Sequence, residues 1–268
     1  MSTPPQYPTD LSDAQWHLLR PLLTPIRWQV GGPGRRPVDR RQVINGLLYL
    51  TKTGCQWALL AKTFGCWQTV YGYFNRWSRT GVWHDLLQVL TRHERRRQGR
   101  HLAPSAGCVD AQSVKTATHG KTKGYDAAKR ISGRKRHLLV DTLGLIIDVQ
   151  VTPADVDDRI GLKRLLNTYF ATGAKRLRKL WVDSGYRGQP IKTWVAGLKH
   201  SYKIDLEVAP KMKTRFKVMP RRWVVERTFA WLLNFRRHTK NYERLTRNSE
   251  ALIQIAMMHL LLKRIAAT

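Results

Sequence analysis

The chain has 268 residues, 42% hydrophobic and 25% charged, the composition of a folded protein with one large domain or two ordinary ones. Its 48 Lys+Arg against 18 Asp+Glu leave a formal net charge of +30 and a pI of about 10.9, an excess that repels itself unless a polyanion neutralises it. No apolar run approaches the ~18 residues of a membrane span, the N-terminal MSTPPQYPTDLSDAQW has no signal-peptide pattern, and the three cysteines form no CxxC pair, so membrane, secretory and zinc-knuckle classes fall away.

In chain order, LSDAQWHLLRPLL has helical spacing, with Ser12 or Asp13 as N-cap. GGPGRRP, Gly31 to Pro37, then breaks the chain, either as a basic arm along DNA or as a flexible linker. From Val38 to Leu90 the pattern is helical, with Val43, Ile44, Leu47, Leu48 and Leu50 on one stripe. QWALLAKTFGCWQTVYGYFNRWSRTG reads as a helix, a break near Gly65 and a second helix. That is the helix-turn-helix outline, whose second helix enters the major groove. On it Gln68, Thr69, Tyr73, Arg76 and Arg79 would face DNA, and Val70, Phe74 and Trp77 the core. Many helical hairpins share the outline without touching DNA. TRHERRRQGRH reads as a solvated helix end and basic linker, which sets a helical DNA-binding domain at 1–100 and a second domain at 101–268.

Beyond residue 100 the period changes. AGCVDAQ reads as a strand, and KRHLLVDTLGLIIDVQVTPA as two strands joined by a tight turn at Asp141 to Gly144. DVDDRIGLKRLLNTYFATG is a helix, RLRKLWVD a strand, GQPIKTWVAGL a helix and YKIDLEVAP a strand. Two helices follow, in PRRWVVERTFAWLLNFRRH and SEALIQIAMMHLLLKRIAA. The order predicts an α/β (α+β) fold: a mixed five-stranded sheet flanked by helices, as in ribonuclease H-like proteins, after the helical N-terminal domain.

In such a sheet the strand closing at Asp110 and the strand closing at Asp183 lie parallel and adjacent, which brings the two carboxylates together. Like charges that close repel unless a cation joins them, and an all-oxygen pair suits Mg²⁺. Glu226, in a helix apolar on most sides, is the candidate third acid, with Arg222 one turn back and Arg237 near the same stripe, both read as DNA contacts. A surface Arg–Glu pair is the plainer account of it. Asp141, Asp148, Asp155, Asp157 and Asp158 read as structural, the last three as helix caps. Val114 to His137 carries eight basic residues and one acid, including Lys121, Lys123, Lys129, Arg130, Arg134, Lys135 and Arg136, and reads as a cationic flap gripping phosphates.

CVDAQSVKT, GYDAAKRISGRKRHLLVDTLG, WVDSGYRG and RRWVVERTFAWLLNFRR, in this order, resemble the IS5 family of bacterial insertion-sequence transposases, within the IS4-like DDE group. TGCQW and TVYGYFNRWSRTGVW resemble that family's leading DNA-binding region, and the likeness spans about Leu11 to Ala266. The resemblance implies that Asp110, Asp183 and Glu226 are the catalytic acids and metal ligands, binding two Mg²⁺ ions with Mn²⁺ as a substitute. The family's Tyr-(2)-Arg-(3)-Glu-(6)-Lys signature is met at Arg222 and Glu226, whereas Met219 stands for Tyr and Leu233 for Lys, with Arg236 or Arg237 as replacement. The expected activity is cleavage at insertion-sequence ends and strand transfer into target DNA. The expected partners are double-stranded DNA (terminal inverted repeats and target) and further copies of the chain, as a homodimer or larger assembly, in the bacterial cytoplasm and nucleoid-associated. The alternatives are a non-catalytic DNA-binding regulator or transposase relic, and a ribonuclease H-like nuclease without strand transfer.

Overall fold

The computed structural model describes residues 6–23, 38–117, 122–173, 176–209 and 222–266, side chains of 198–201 excepted. The Gly31–Pro37 break, Lys121 and Met219 lie outside them. Helix α1 (Asp13–Leu19) opens on a capping box: Ser12 Oγ accepts from Gln15 N at 3.2 Å, and Gln15 Oε1 from Ser12 N at 3.0 Å. Helix α2 (Arg40–Thr53) starts at Asp39 and stops at Gly54, whose φ of +72° ends it without a Cβ penalty. Where a first helix of the DNA-binding pair was expected there are two single 3₁₀ turns, Trp57–Leu59 and Lys62–Phe64. Between 57 and 64 only Leu60 and Phe64 are buried, too small an apolar face to hold a longer helix. Helix α3 (Trp67–Arg79) buries Val70, Phe74 and Trp77, the stripe its spacing predicts.

Helix α4 (Val82–Arg97) corrects the linker reading of residues 91–97. Thr91, Glu94 and Arg95 are buried, because α4 packs lengthwise on α8 (Thr246–Ile265) rather than running into solvent. Helix α8 is apolar nearly all round because α2, α3 and α4 close on it from outside and the sheet from inside. One apolar core therefore runs from Leu11 through α8 to Cys108 and Leu138.

The sheet has six strands, one more than expected: β1 (Ala106–Lys115), β2 (Gly124–Asp126), β3 (Ile131–Asp141), β4 (Ile146–Pro153), β5 (Lys179–Val182) and β6 (Asp205–Val208). Their order is β2-β3-β1-β5-β6, with β4 also on β3. Strand β1 is antiparallel to β3 and parallel to β5, and β5 is parallel to β6. Helices α5 (Asp158–Ala171) and α6 (Gln189–Tyr202) cover one face, α7 (Trp223–Leu233) and α8 the other. The architecture is mixed α+β, and among the described residues no helix is long and apolar enough to cross a membrane.

Much of the expected cationic flap is sheet, since the β1–β3 ladder runs on to Lys115 opposite Gly133 and the missed strand β2 follows it. A sheet covered on both faces buries whatever its strands carry. Arg134 is fully buried and donates to Glu243 O (2.7 Å), Arg244 O (2.8 Å), Thr122 O (2.9 Å) and Asn241 Oδ1 (3.1 Å). Lys135 is bound to Asp158 and Val156 O, both at 2.9 Å. Arg136 is 2% exposed, and burial pulls its pKa down to about 10. All three are buried, which corrects their assignment to a phosphate-gripping surface.

Asp148 on β4 and Glu250 on α8 form a buried acidic pair. Burial, joined at Asp148 by the Glu250 charge, pushes each up to about 7. Folded-state values above unfolded ones near 4 mean that this contribution to stability is present in acid and lost as pH rises through about 7. Asp148→Asn removes the charge while leaving an oxygen for the Val149 N–H (2.8 Å in the native protein). Its Tm should match wild type near pH 5 and exceed it by about 3–5 °C near pH 8. Parallel melting curves of the two proteins from pH 5 to 8 would reject the account.

Candidate active site

Strand β1 does not close at Asp110 but continues five residues to Lys115; it is β5 that stops beside it. The parallel register pairs Ala106 with Lys179, Gly107 with Leu180 and Cys108 with Trp181. Two more steps bring Asp110 level with Asp183, where β5 gives way to the 3₁₀ turn Ser184–Tyr186. Asp183 caps that turn, its Oδ1 accepting from Gly185 N at 2.8 Å. Asp110 Oδ1 accepts from Ala111 N at 2.8 Å. Burial, with the Asp183 charge adding to it, pushes Asp110 up to about 6 against the pull of Ala111 N–H, Arg222 and Lys129. The pair is thus strained electrostatically in the way a cation relieves.

Glu226 lies in the first turn of α7, and α7 packs on β1 and β3. Its carboxylate Oε1 accepts from Arg222 Nη2 at 2.9 Å; Glu226 is half exposed and Arg222 less so. Burial works against the Arg222 charge, yet its pKa is raised by the Glu226 bond and by Asp110 and Asp183. One guanidinium therefore feels all three predicted acids, from three different elements. Among the described residues no three His, Cys, Asp or Glu side chains are gathered tightly enough to hold one metal ion. The donor chemistry of the Asp110–Asp183 pair nonetheless fits a hard divalent cation: oxygens only, one carboxyl already short of compensating charge.

Residues assigned to DNA contact divide. Gln68, Arg76, Arg79, Lys123, Lys129 and Arg130 are exposed, and Thr69 and Tyr73 are half-buried. The Arg76 guanidinium lies 4.6 Å over the Tyr73 ring, and Lys129 Nζ donates to Ala111 O, one residue past Asp110, at 3.1 Å. Arg237 is a correction: 6% exposed, it is bound to Glu243 (2.7 Å) and Cys55 O (2.9 Å), fastening the loop after α7 to the end of α2. Asp141 and Asp157 have the structural roles expected, Asp141 paired in the interior with Arg95 and Asp157 capping α5.

Tyr186 was missed. It is 1% exposed, its hydroxyl has no hydrogen-bond partner among the described residues, and burial together with the charges of Asp110, Asp158 and Asp183 raises its pKa well above the usual value. The signal was its place three residues after Asp183 in WVDSGYRG.

A basic chain that sets two aspartates level on neighbouring parallel strands, with one arginine feeling both of them and a helix-borne glutamate, has the makings of an enzyme acting on nucleic acid, and residues 101–261 match the family described as transposase DDE domain. Residues 11–87 match a second family, described as transposases of the IS4/5 family. The chain belongs to the IS4/5-type DDE transposases. A relative from Burkholderia cepacia, "Insertion element IS402 uncharacterized 16.2 kDa protein", is 31% identical over 117 residues, 42% of this chain and 78% of its own length. No solved structure matches.

Proposed function

We propose that this chain cuts the ends of its insertion sequence and joins them to target DNA, with Asp110, Asp183 and Glu226 as the catalytic acids. The observation that carries the reading is the parallel β1–β5 register that brings Asp110 level with Asp183, with Arg222 coupled to both and to Glu226. The three acids would hold two Mg²⁺ ions, or Mn²⁺ in their place, which supply Lewis-acid polarisation of the scissile phosphate and a more acidic attacking water. Asp183 is held by its turn and Asp110 by its strand, so neither needs to be ordered when DNA arrives. Arg222 balances the acids in the metal-free protein and offers its guanidinium to a phosphate. Lys123, Lys129 and Arg130, exposed around β2, would grip the backbone next to the scissile bond.

The helical region before residue 100 is the proposed reader of the terminal inverted repeats, with α3 in the major groove and the catalytic domain after residue 100 holding backbone. Joining two ends calls for two copies of the chain or more. The test is to incubate the purified protein with DNA carrying the inverted repeats that flank its gene. Nicks with 3′-hydroxyls at the repeat ends, dependent on Mg²⁺, followed by joining to a target plasmid, are the expected products; cutting without joining would reduce the protein to a nuclease, and binding alone to a regulator.

Arg76 and Arg79 give an independent check on α3. Each replaced by Ala should weaken repeat binding and lower the slope of log K against log[salt] by about 0.9, the loss of one phosphate contact. Unchanged slopes for both variants move the DNA surface elsewhere.

A further inference from the structure

The Arg222–Glu226 pair lies within α7 and so does not fix the helix against the sheet. That is done just beyond Glu226, on the four-residue turn between β3 and β4. Thr228, fully buried, has its hydroxyl 2.8 Å from Gly144 O and 3.0 Å from Val224 O one turn back, so its single hydrogen serves the turn or is shared between the two. Arg227 donates Nη2 to Leu143 O at 3.0 Å. Trp231 lies flush on Gly144, where an added Cβ would stand 3.1 Å from the indole ring. The Arg227 guanidinium lies between the rings of Trp223 (4.4 Å) and Trp231 (4.8 Å), residues i, i+4 and i+8 of one face. The turn itself is rigid: Asp141 Oδ1 accepts from Leu143 N (2.8 Å) and Leu145 N (2.9 Å), and its other oxygen pairs with Arg95 of α4.

A helical threonine can satisfy its hydroxyl on the carbonyl one turn back, yet Thr228 lies closer to Gly144 O of the turn (2.8 Å) than to Val224 O (3.0 Å). We infer that Thr228, with Arg227 and Trp231, is a positioning residue that latches α7 to the β3–β4 turn and so sets the Glu226 carboxylate against Asp110 and Asp183. This rests on the proposed role of Glu226. Displacing a reacting group by about 1 Å costs on the order of a hundredfold in rate, so a loosened latch reaches the chemistry without any contact to DNA.

Thr228→Val keeps the volume and removes the bond to Gly144 O. In the metal-free protein, native-state hydrogen exchange of the α7 amides should quicken about tenfold while β1 and β3 keep their protection. Repeat-DNA binding should stay within about twofold, and the Mg²⁺ concentration for half-maximal cleavage should rise about tenfold. Arg227→Met, which keeps the stacking length and loses the Leu143 bond, should act in the same direction and is read alone if the first variant does not fold. Unchanged α7 exchange, or exchange that quickens equally throughout the protein, overturns the inference. Glu226→Gln separates the two readings: if that variant cleaves normally the catalytic assignment fails, whereas if it is inactive and Thr228→Val behaves as wild type, only the latch fails.

Discussion

Asp183→Asn is expected to lower end cleavage at least about 1,000-fold, about 4 kcal/mol of transition-state stabilisation, while repeat DNA binds as well as before. The substitution is mild for the fold. Asp183 Oδ1 accepts from Gly185 N, and the amide oxygen of the variant can do the same, so the turn after β5 is kept. What is lost is a carboxylate charge beside Asp110. Burial is what chiefly raises Asp110 and the Asp183 charge adds to it, so without Asp183 the Asp110 pKa should fall below about 6 while staying raised by burial. Removing a negative charge near bound phosphates also cannot weaken binding through electrostatics. The measurements are single-turnover cleavage and a mobility shift without divalent ions. Normal cleavage by this variant would falsify the catalytic assignment, and a parallel loss of binding would mean that the substitution had damaged the fold instead.

The second large effect is on stability, at Asp141→Asn. Asp141 has no exposed surface and pairs with Arg95, itself 5% exposed. Burial raises the Asp141 pKa in spite of Leu145 N–H, Arg95 and Leu143 N–H, so the ion pair is no bargain compared with apolar packing. Breaking it is another matter. The amide keeps an oxygen for the turn but leaves a guanidinium buried without a counter-charge, and arginine cannot discharge itself by losing a proton. The expected loss is about 3–5 kcal/mol, a drop in Tm of about 8–15 °C. Arg95→Met should cost less near pH 6, because the orphaned Asp141 can take up a proton, which its raised pKa already favours. The double variant should recover most of the loss. A Tm for Asp141→Asn within a degree or two of wild type would show that the pair does not tie α4 to the sheet.

The sequence by itself determined the elements whose cause is local. Apolar residues at helical spacing foretold α1, α2, α3, α5, α7 and α8, with Ser12 or Asp13 to cap the first and Asp155, Asp157 and Asp158 before α5, and Asp141 to Gly144 the turn between β3 and β4. Composition foretold a polyanion partner. The candidate acids stood out for a similarly local reason: Asp110, Asp183 and Glu226 are carboxylates in apolar runs of a chain that otherwise carries few acids, and the ordered motifs around them pointed to the same three.

What only the tertiary structure decided is which charges are inside. Arg134, Lys135 and Arg136 read identically to Lys123, Lys129 and Arg130 in a linear stretch of basic residues, yet the first three are strand residues beneath helices and the second three are exposed around β2. The run ending α4 reads as a solvated helix end and linker, and the helix end is there, but α8 lies along it and buries Thr91, Glu94 and Arg95. The short strand β2 has only three residues, too few for any period to register. The fastening of α7 by Thr228 depends on a turn 84 residues earlier in the chain, a separation no local pattern carries. Side-chain spacing reports how a segment would bury its own apolar face; it holds no record of what other segment arrives to cover a charge, and that is settled by long-range packing alone.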